Sequence, residues 1–205
     1  MFPIPNADEI LEFWFADCEQ SGDALRRQRA RWYKPDPNFD AEICNRFEAL
    51  LHAAARGDLA QWELVPSSRL ALIVLLDQFP RNIYRGGAEA FAYDQYASQQ
   101  CLELRDTGGD QQLSRIQRVF AYMPLQHSEE LALQERSVQL FTELAQTAPP
   151  ELRGYLNGSR EYAVEHRDIV ARFGRFPHRN AALSRDSDPE ELAYLSSGGK
   201  TFGQS

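Results

Sequence analysis

Lysine and cysteine are scarce in this chain of 205 residues, and long apolar runs are missing. Lys34 and Lys200 are the only lysines, so arginine supplies every other strongly basic side chain. Cys18, Cys44 and Cys101 stand far apart and form no Cys-x-x-Cys pair. Three cysteines so spaced exclude a disulfide framework and a zinc knuckle and suit a reducing compartment. The longest apolar run, Leu70 to Leu76, is too short to span a bilayer. The opening Met1-Phe2-Pro3-Ile4-Pro5-Asn6 lacks a basic segment leading into an apolar one, so no signal peptide is expected. The expected location is cytoplasmic, with no membrane partner. A net charge of −8 argues against a general nucleic-acid binder, whose affinity comes from neutralising phosphates.

Motifs of familiar chemistry are missing too. There is no Gly-x-Ser-x-Gly elbow, no His-Glu-x-x-His and no phosphate-cradling glycine loop. No metal site and no cofactor are expected from the spacing of the histidines and acids.

What the chain does have is helical periodicity. Apolar residues make up 43% and charged residues 25%, ordinary values for a folded soluble domain. Asp8 is placed to cap a first helix through Phe15, and Ser21 opens a second that breaks at Lys34-Pro35-Asp36-Pro37. A third runs from Phe39 to Gly57. Ser67 should cap Arg69 to Leu76, which is apolar on all sides and reads as a buried central helix. Further helices are expected over about 88–105, 110–122, 128–146 and 151–173. Asp188-Pro189-Glu190-Glu191 is a strong start for a last one. Strand alternation is absent. The expected fold is all-α, a single domain over 1–205 of stacked antiparallel helical hairpins, with loose ends at about 1–6 and 199–205.

The polar chemistry gathers at two similar segments. Phe79-Pro80-Arg81-Asn82 follows one apolar run, and Phe176-Pro177-His178-Arg179-Asn180 follows another. In each, proline disfavours continued helix, and arginine and asparagine can bind anions or cap backbone. Asp77 sits just before the first elbow, where a buried carboxylate needs a partner. It is either one half of a structural ion pair with an arginine or a group that orients a histidine. Arg172, Arg175 and Arg179 crowd the second elbow beyond what helix capping requires. His127 lies at a helix mouth, and His166 shares a face with Ile169 and Val170.

Four stretches taken in order carry a resemblance: Glu12-Phe13-Trp14-Phe15, Leu75 to Asn82, Pro124 to Glu129, and Phe173 to Asn180. Together they resemble the bacterial family called domain of unknown function 924, and Pro189 to Leu195 with Gly198-Gly199 looks like its ending. The resemblance covers essentially the whole chain. It implies an all-helical fold with hairpins stacked as in tetratricopeptide repeats, and it implies no activity. Leu183-Ser184-Arg185 departs from it, because the family more often has glycine before that arginine.

Three functional expectations follow. The first is a polar pocket where the elbows meet, binding a small anionic ligand or an acidic peptide group. Arg81, Arg85, Arg172, Arg175, Arg179, Asn82 and Asn180 are its candidate ligand-binding residues. The second is a hydrolase in which His127, His166 or His178 is a general base, Asp77 orients it and an arginine stabilises developing charge. The third is a scaffold that binds another protein on a concave helical surface.

Overall fold

The computed structural model describes residues 6–203, and among these there is helix and turn but no strand. Ten α-helices follow one another: α1 (Ala7–Phe15), α2 (Gly22–Tyr33), α3 (Pro37–Ala55), α4 (Pro66–Asp77), α5 (Phe79–Ile83), α6 (Asp94–Asp106), α7 (Arg115–His127), α8 (Leu131–Gln146), α9 (Arg153–Phe173) and α10 (Pro189–Ser196). Short 3-10 turns fill several of the connections. No helix of the described residues is long and apolar enough to cross a membrane.

α4 is the axis of the molecule. Leu70 through Asp77 are all fully buried, as the all-round apolar pattern requires. It packs against α1, α3, α6 and α7, while α8 packs between α7 and α9. Aromatic rings close the space around its end. Phe79 meets Phe13, Trp14 and Phe47 at centroid distances of 6.2, 5.6 and 4.9 Å, and Trp14 stands edge-on to Phe120 at 5.6 Å. α1 ends against α2: the Trp14 carbonyl accepts from Gln28 Nε2 at 2.6 Å and Trp32 Nε1 at 2.8 Å, so a helix-end acceptor is satisfied inside the core.

Several helix boundaries differ from the sequence expectation, each for a local reason. Asn6, not Asp8, caps α1 by accepting from Glu9 N. α4 starts at Pro66 with no side-chain cap, since proline at the first turn needs none of its own donors. Pro80 does not end the helical path. Gln78 stays in the right-handed helical region and Pro80 occupies the first turn of α5, where its missing N–H would be unpaired anyway. Pro124 lies inside α7 and not beyond it. An interior proline costs about 3 kcal/mol, and burial of Ile116, Val119, Phe120, Tyr122, Met123 and Leu125 along the same helix outweighs that. Ser128 does not open α8; its hydroxyl accepts from Glu130 N, and the helix begins at Leu131.

The second elbow behaves as its sequence suggests. Gly174 takes φ +69° and ends α9, and Asp188 with Glu191 forms the reciprocal cap that starts α10. Of the expected loose ends, residues 1–5 and 204–205 lie outside the described residues. Asn6 and residues 199–203 are held in place instead: Phe202 stacks on His166 at 3.7 Å, and the Gly203 carbonyl accepts from Arg85 Nη1 at 2.9 Å. The His166 ring on α9 and the Arg85 Nη1 donor that Asp40 does not use give the tail something to bind.

Ser184 occupies φ +53°, the left-handed region that suits glycine, at the position where the resemblance has glycine. That conformation costs a side chain about 1–2 kcal/mol. Ser184→Gly should therefore raise unfolding free energy by about 0.5–1 kcal/mol, after glycine's extra entropy loss is subtracted; urea denaturation at neutral pH measures it.

Candidate functional site

Both elbows reach one partly buried carboxylate. Asp94, at the start of α6, receives Arg81 through two parallel bonds, Nη1 to Oδ1 at 2.8 Å and Nη2 to Oδ2 at 2.9 Å. Arg179 Nη1 reaches the same Oδ2 at 3.1 Å. The Arg179 guanidinium also lies over the rings of Phe91 and Phe176, at 4.4 and 4.5 Å from their centroids. Burial, and next to it repulsion from Arg81, lower the Arg179 pKa to about 10 against the pull of Asp94. It is still a cation at neutral pH.

Asp77 extends this network toward a cavity. It ends α4 with no solvent exposure, accepts from Gln78 Nε2, and lies 3.4 Å from Arg81 Nη1. Its Oδ1 is 2.7 Å from His127 Nδ1, on the last residue of α7. Burial pushes the Asp77 carboxyl up, but the neighbouring His127 and Arg81 outweigh it and hold the pKa below the usual value. His127 moves down as well, through burial first and the Arg81 charge second, although Asp77 and Asp94 oppose the shift. The pair therefore rests as a carboxylate and a neutral imidazole. An ionised carboxylate only accepts, so His127 carries its proton on Nδ1 and leaves Nε2 as a free base.

The cavity that His127 faces has a volume of about 480 Å³ and is walled mainly by α2, α7 and α9. Trp32, Tyr33, Met123, Phe141, Tyr155 and Tyr162 give it an apolar body. His166 enters from α9 and donates Nδ1–H to the Tyr162 carbonyl at 2.7 Å, which makes its Nε2 a second acceptor. Its pKa lies well below the ordinary value because it is buried and beside His127, with ring centroids 6.0 Å apart. Gln126 is 3% exposed, lines the cavity, and makes no side-chain hydrogen bond among the described residues. Phe202 and Gly203 complete the lining.

Of the residues singled out from sequence, Arg81, Arg85, Asn82, His127 and His166 line this space, and Asp77 stands directly behind His127. The others lie elsewhere. Arg175 grips Glu191 through two bonds of 2.6 and 2.8 Å, and Arg172 pairs with Glu190 on the surface. Asn180 bridges Glu191 and Arg185, while Arg185 is held by Glu129. His178 stands edge-on to Phe202, with the ring centroids 5.7 Å apart and its Nδ1 buried without a partner among the described residues. Arg179 acts on Asp94 and not on the cavity. Even the lining arginines of the first elbow are engaged, Arg85 by Asp40 through bonds of 3.0 and 2.9 Å.

Sequence reasoning missed Asp94, Arg29, Gln126, Tyr162 and Phe202. An acid at the start of a helix reads as a dipole partner, and Arg29 is one of four arginines between 26 and 31. Only Gln126, next to His127, carried a usable local signal. Among the described residues no group of three His, Cys, Asp or Glu is arranged to hold a metal ion.

A family model described as "Bacterial protein of unknown function (DUF924)" matches residues 10–199. A solved structure of ATU0120 from Agrobacterium tumefaciens, a protein of unknown function, is 39% identical. The alignment covers 94% of this chain and 97% of that one, with a TM-score of 0.79. No curated protein matches the sequence.

The three depressed histidines make a prediction about acid. In an unfolded chain imidazole takes up its proton near pH 6.5, whereas folded His127 and His166 do so lower and His178 at about 3. Below pH 6.5 the unfolded state binds more protons, so stability falls as pH falls. The melting temperature should be level from pH 8 to 7 and drop from pH 6.5 to 5, and His178→Gln should reduce that drop.

Proposed function

The chain belongs to the bacterial family of unknown function DUF924, and on that premise we propose a function from its site: it binds a small molecule with an anionic end and an apolar body. One observation carries this reading. The cavity lining contains Arg29, Lys34, Arg81 and Arg85 and, among the described residues, no aspartate or glutamate, in a chain whose net charge is −8.

The four cations are not equivalent. Arg81 and Arg85 already face carboxylates, so their charge is largely compensated. Arg29 and Lys34 form no ion pair among the described residues, and Arg29 lies over the Tyr155 ring at 4.8 Å from its centroid. The anion-gripping role therefore passes from the elbow arginines to Arg29, with Lys34 beside it at the mouth. Tyr33 and Tyr162 are 47% and 42% exposed there, ready to cover an apolar ligand body. A cavity of about 480 Å³ falls within the range of small-molecule sites and is too small for a folded partner. A protein-binding groove has less support, since the remaining large exposed apolar residues are one adjacent pair, Leu64 and Val65, and two residues far from it in sequence, Leu131 and Leu192.

Calorimetric titration with short dicarboxylates, aryl carboxylates and phosphate monoesters tests this. At least one anion should bind in preference to its neutral amide or alcohol analogue. Arg29→Ala should weaken it about ten- to a hundred-fold, the loss of one charge-assisted contact. Equal affinity for charged and neutral analogues, or binding indifferent to Arg29, overturns the reading.

A further inference from the structure

We propose that the cavity is a hydrolytic site in which His127 is the general base, Asp77 is its positioning residue, and the substrate is a carboxylic ester carrying a second, anionic group. This deepens the binding reading and rests on it, because Arg29 must hold the anionic end.

The geometry has three parts. First, His127 Nδ1 is anchored on Asp77 Oδ1 at 2.7 Å while the ring lines the cavity, so Nε2 is the basic atom available to a ligand. Asp77 cannot swing away, since Gln78 and Arg81 hold it and it has no exposed surface. Second, no side-chain nucleophile among the described residues is paired with His127. The Ser159 hydroxyl donates to the Tyr155 carbonyl at 3.1 Å, and the Tyr33 and Tyr155 hydroxyls bind one another at 3.1 Å. Cys18 and Cys101 are buried outside the lining. The proton that Nε2 can take therefore belongs to water. Third, Gln126, 3% exposed and free of side-chain hydrogen bonds among the described residues, brings an N–H donor to the same cavity as the base. That is the donor a carbonyl oxygen needs as it gains charge.

The step balances without any further reagent. Water gives a proton to His127 Nε2 as its oxygen bonds to the ester carbonyl carbon and the carbonyl electron pair moves onto oxygen. Collapse re-forms the carbonyl, breaks the bond to the alcohol oxygen and returns the proton to that oxygen. One ester and one water yield one acid and one alcohol, with no change of oxidation state.

The test uses the intact chain with the monoester p-nitrophenyl glutarate, the neutral p-nitrophenyl butyrate, and glutarate as a non-reacting ligand. His127→Gln should lower kcat/KM for the glutarate ester about 10²- to 10⁴-fold while calorimetric glutarate binding persists. The neutral ester should react at least tenfold more slowly than the anionic one. The groups facing His127 are Asp77 from α4, Arg81 from α5, Asp94 from α6 and His166 from α9. The wild-type rate should be level above neutral pH and fall in acid as His127 is protonated. Asp77→Asn removes the charge that favours the imidazolium, so its acid limb should move to lower pH along with a lower kcat. A purely structural Asp77 would change melting temperature and leave that limb in place, which refutes its positioning role. If Asp77→Asn fails to fold, His127→Gln decides alone. Glutarate binding without ester hydrolysis above buffer, or hydrolysis unchanged in His127→Gln, overturns the base and leaves the binding reading standing. Failure of glutarate and every other anion to bind removes both.

Discussion

Asp94 holds two buried guanidiniums that the chain delivers from positions almost a hundred residues apart, Arg81 and Arg179. Stranding a buried charge by removing its partner costs about 3–5 kcal/mol, more than most single contacts contribute. The α5 turn, the start of α6 and the segment after α9 therefore cannot shift independently. Asp77 and His127 inherit their positions from that constraint, because Arg81 also lies against Asp77. Two carboxylates and two guanidiniums compensate one another, and the imidazole is left neutral at the edge of the cluster. The pocket's geometry is thus a consequence of this ion cluster.

The two elbows share residue types and diverge in structure, and one backbone residue in each explains why. Gln78 remains right-handed, so α5 follows α4 after a single residue and Arg81 Nη1 reaches back to the Asp77 carbonyl, 2.7 Å away. Gly174 is left-handed, so the chain after α9 turns away and begins a new course. Asn82 then caps the Gln78 carbonyl within its own turn, whereas Asn180 bridges Glu191 and Arg185. Arg175 and Arg185 are absorbed by Glu191 and Glu129. The second elbow is mostly an internal staple that contributes one long arm, Arg179, to the first.

Much of the fold was legible because helical periodicity and caps are local. Ser21, Asp36 with Pro37, Gly174, and the Asp188–Glu191 pair each announce a boundary that the structure keeps. The prolines misled at Pro80 and Pro124, since a rule about local strain says nothing of the packing that offsets it. At the site, His127, His166 and Arg81 stood out by chemical type. The carboxylates that neutralise the arginines did not, because Asp40, Asp94, Glu129 and Glu191 are far from their partners in sequence and look like ordinary surface acids. Without them, every arginine near an elbow reads as a free anion clamp. Pairing decides which cations remain available, and pairing is a tertiary property.

That distinction bears on how an acidic protein could recruit an anion. A charge of −8 repels such a ligand at long range, but salt limits that repulsion to about 8 Å at physiological ionic strength. Inside that distance the nearest groups dominate, and at the cavity mouth these are Arg29 and Lys34. The rest of the lining adds two neutral imidazoles, an amide and two arginines already paired with carboxylates, so a ligand's charged end is favoured at Arg29 and Lys34 and its uncharged body near His127. The same burial that keeps His127 unprotonated also strengthens any charge developing beside it. Arg81 links the two effects. It lowers the imidazole's affinity for a proton and simultaneously holds Asp77 in place, so a more basic His127 could be obtained only by weakening the ion cluster that positions it.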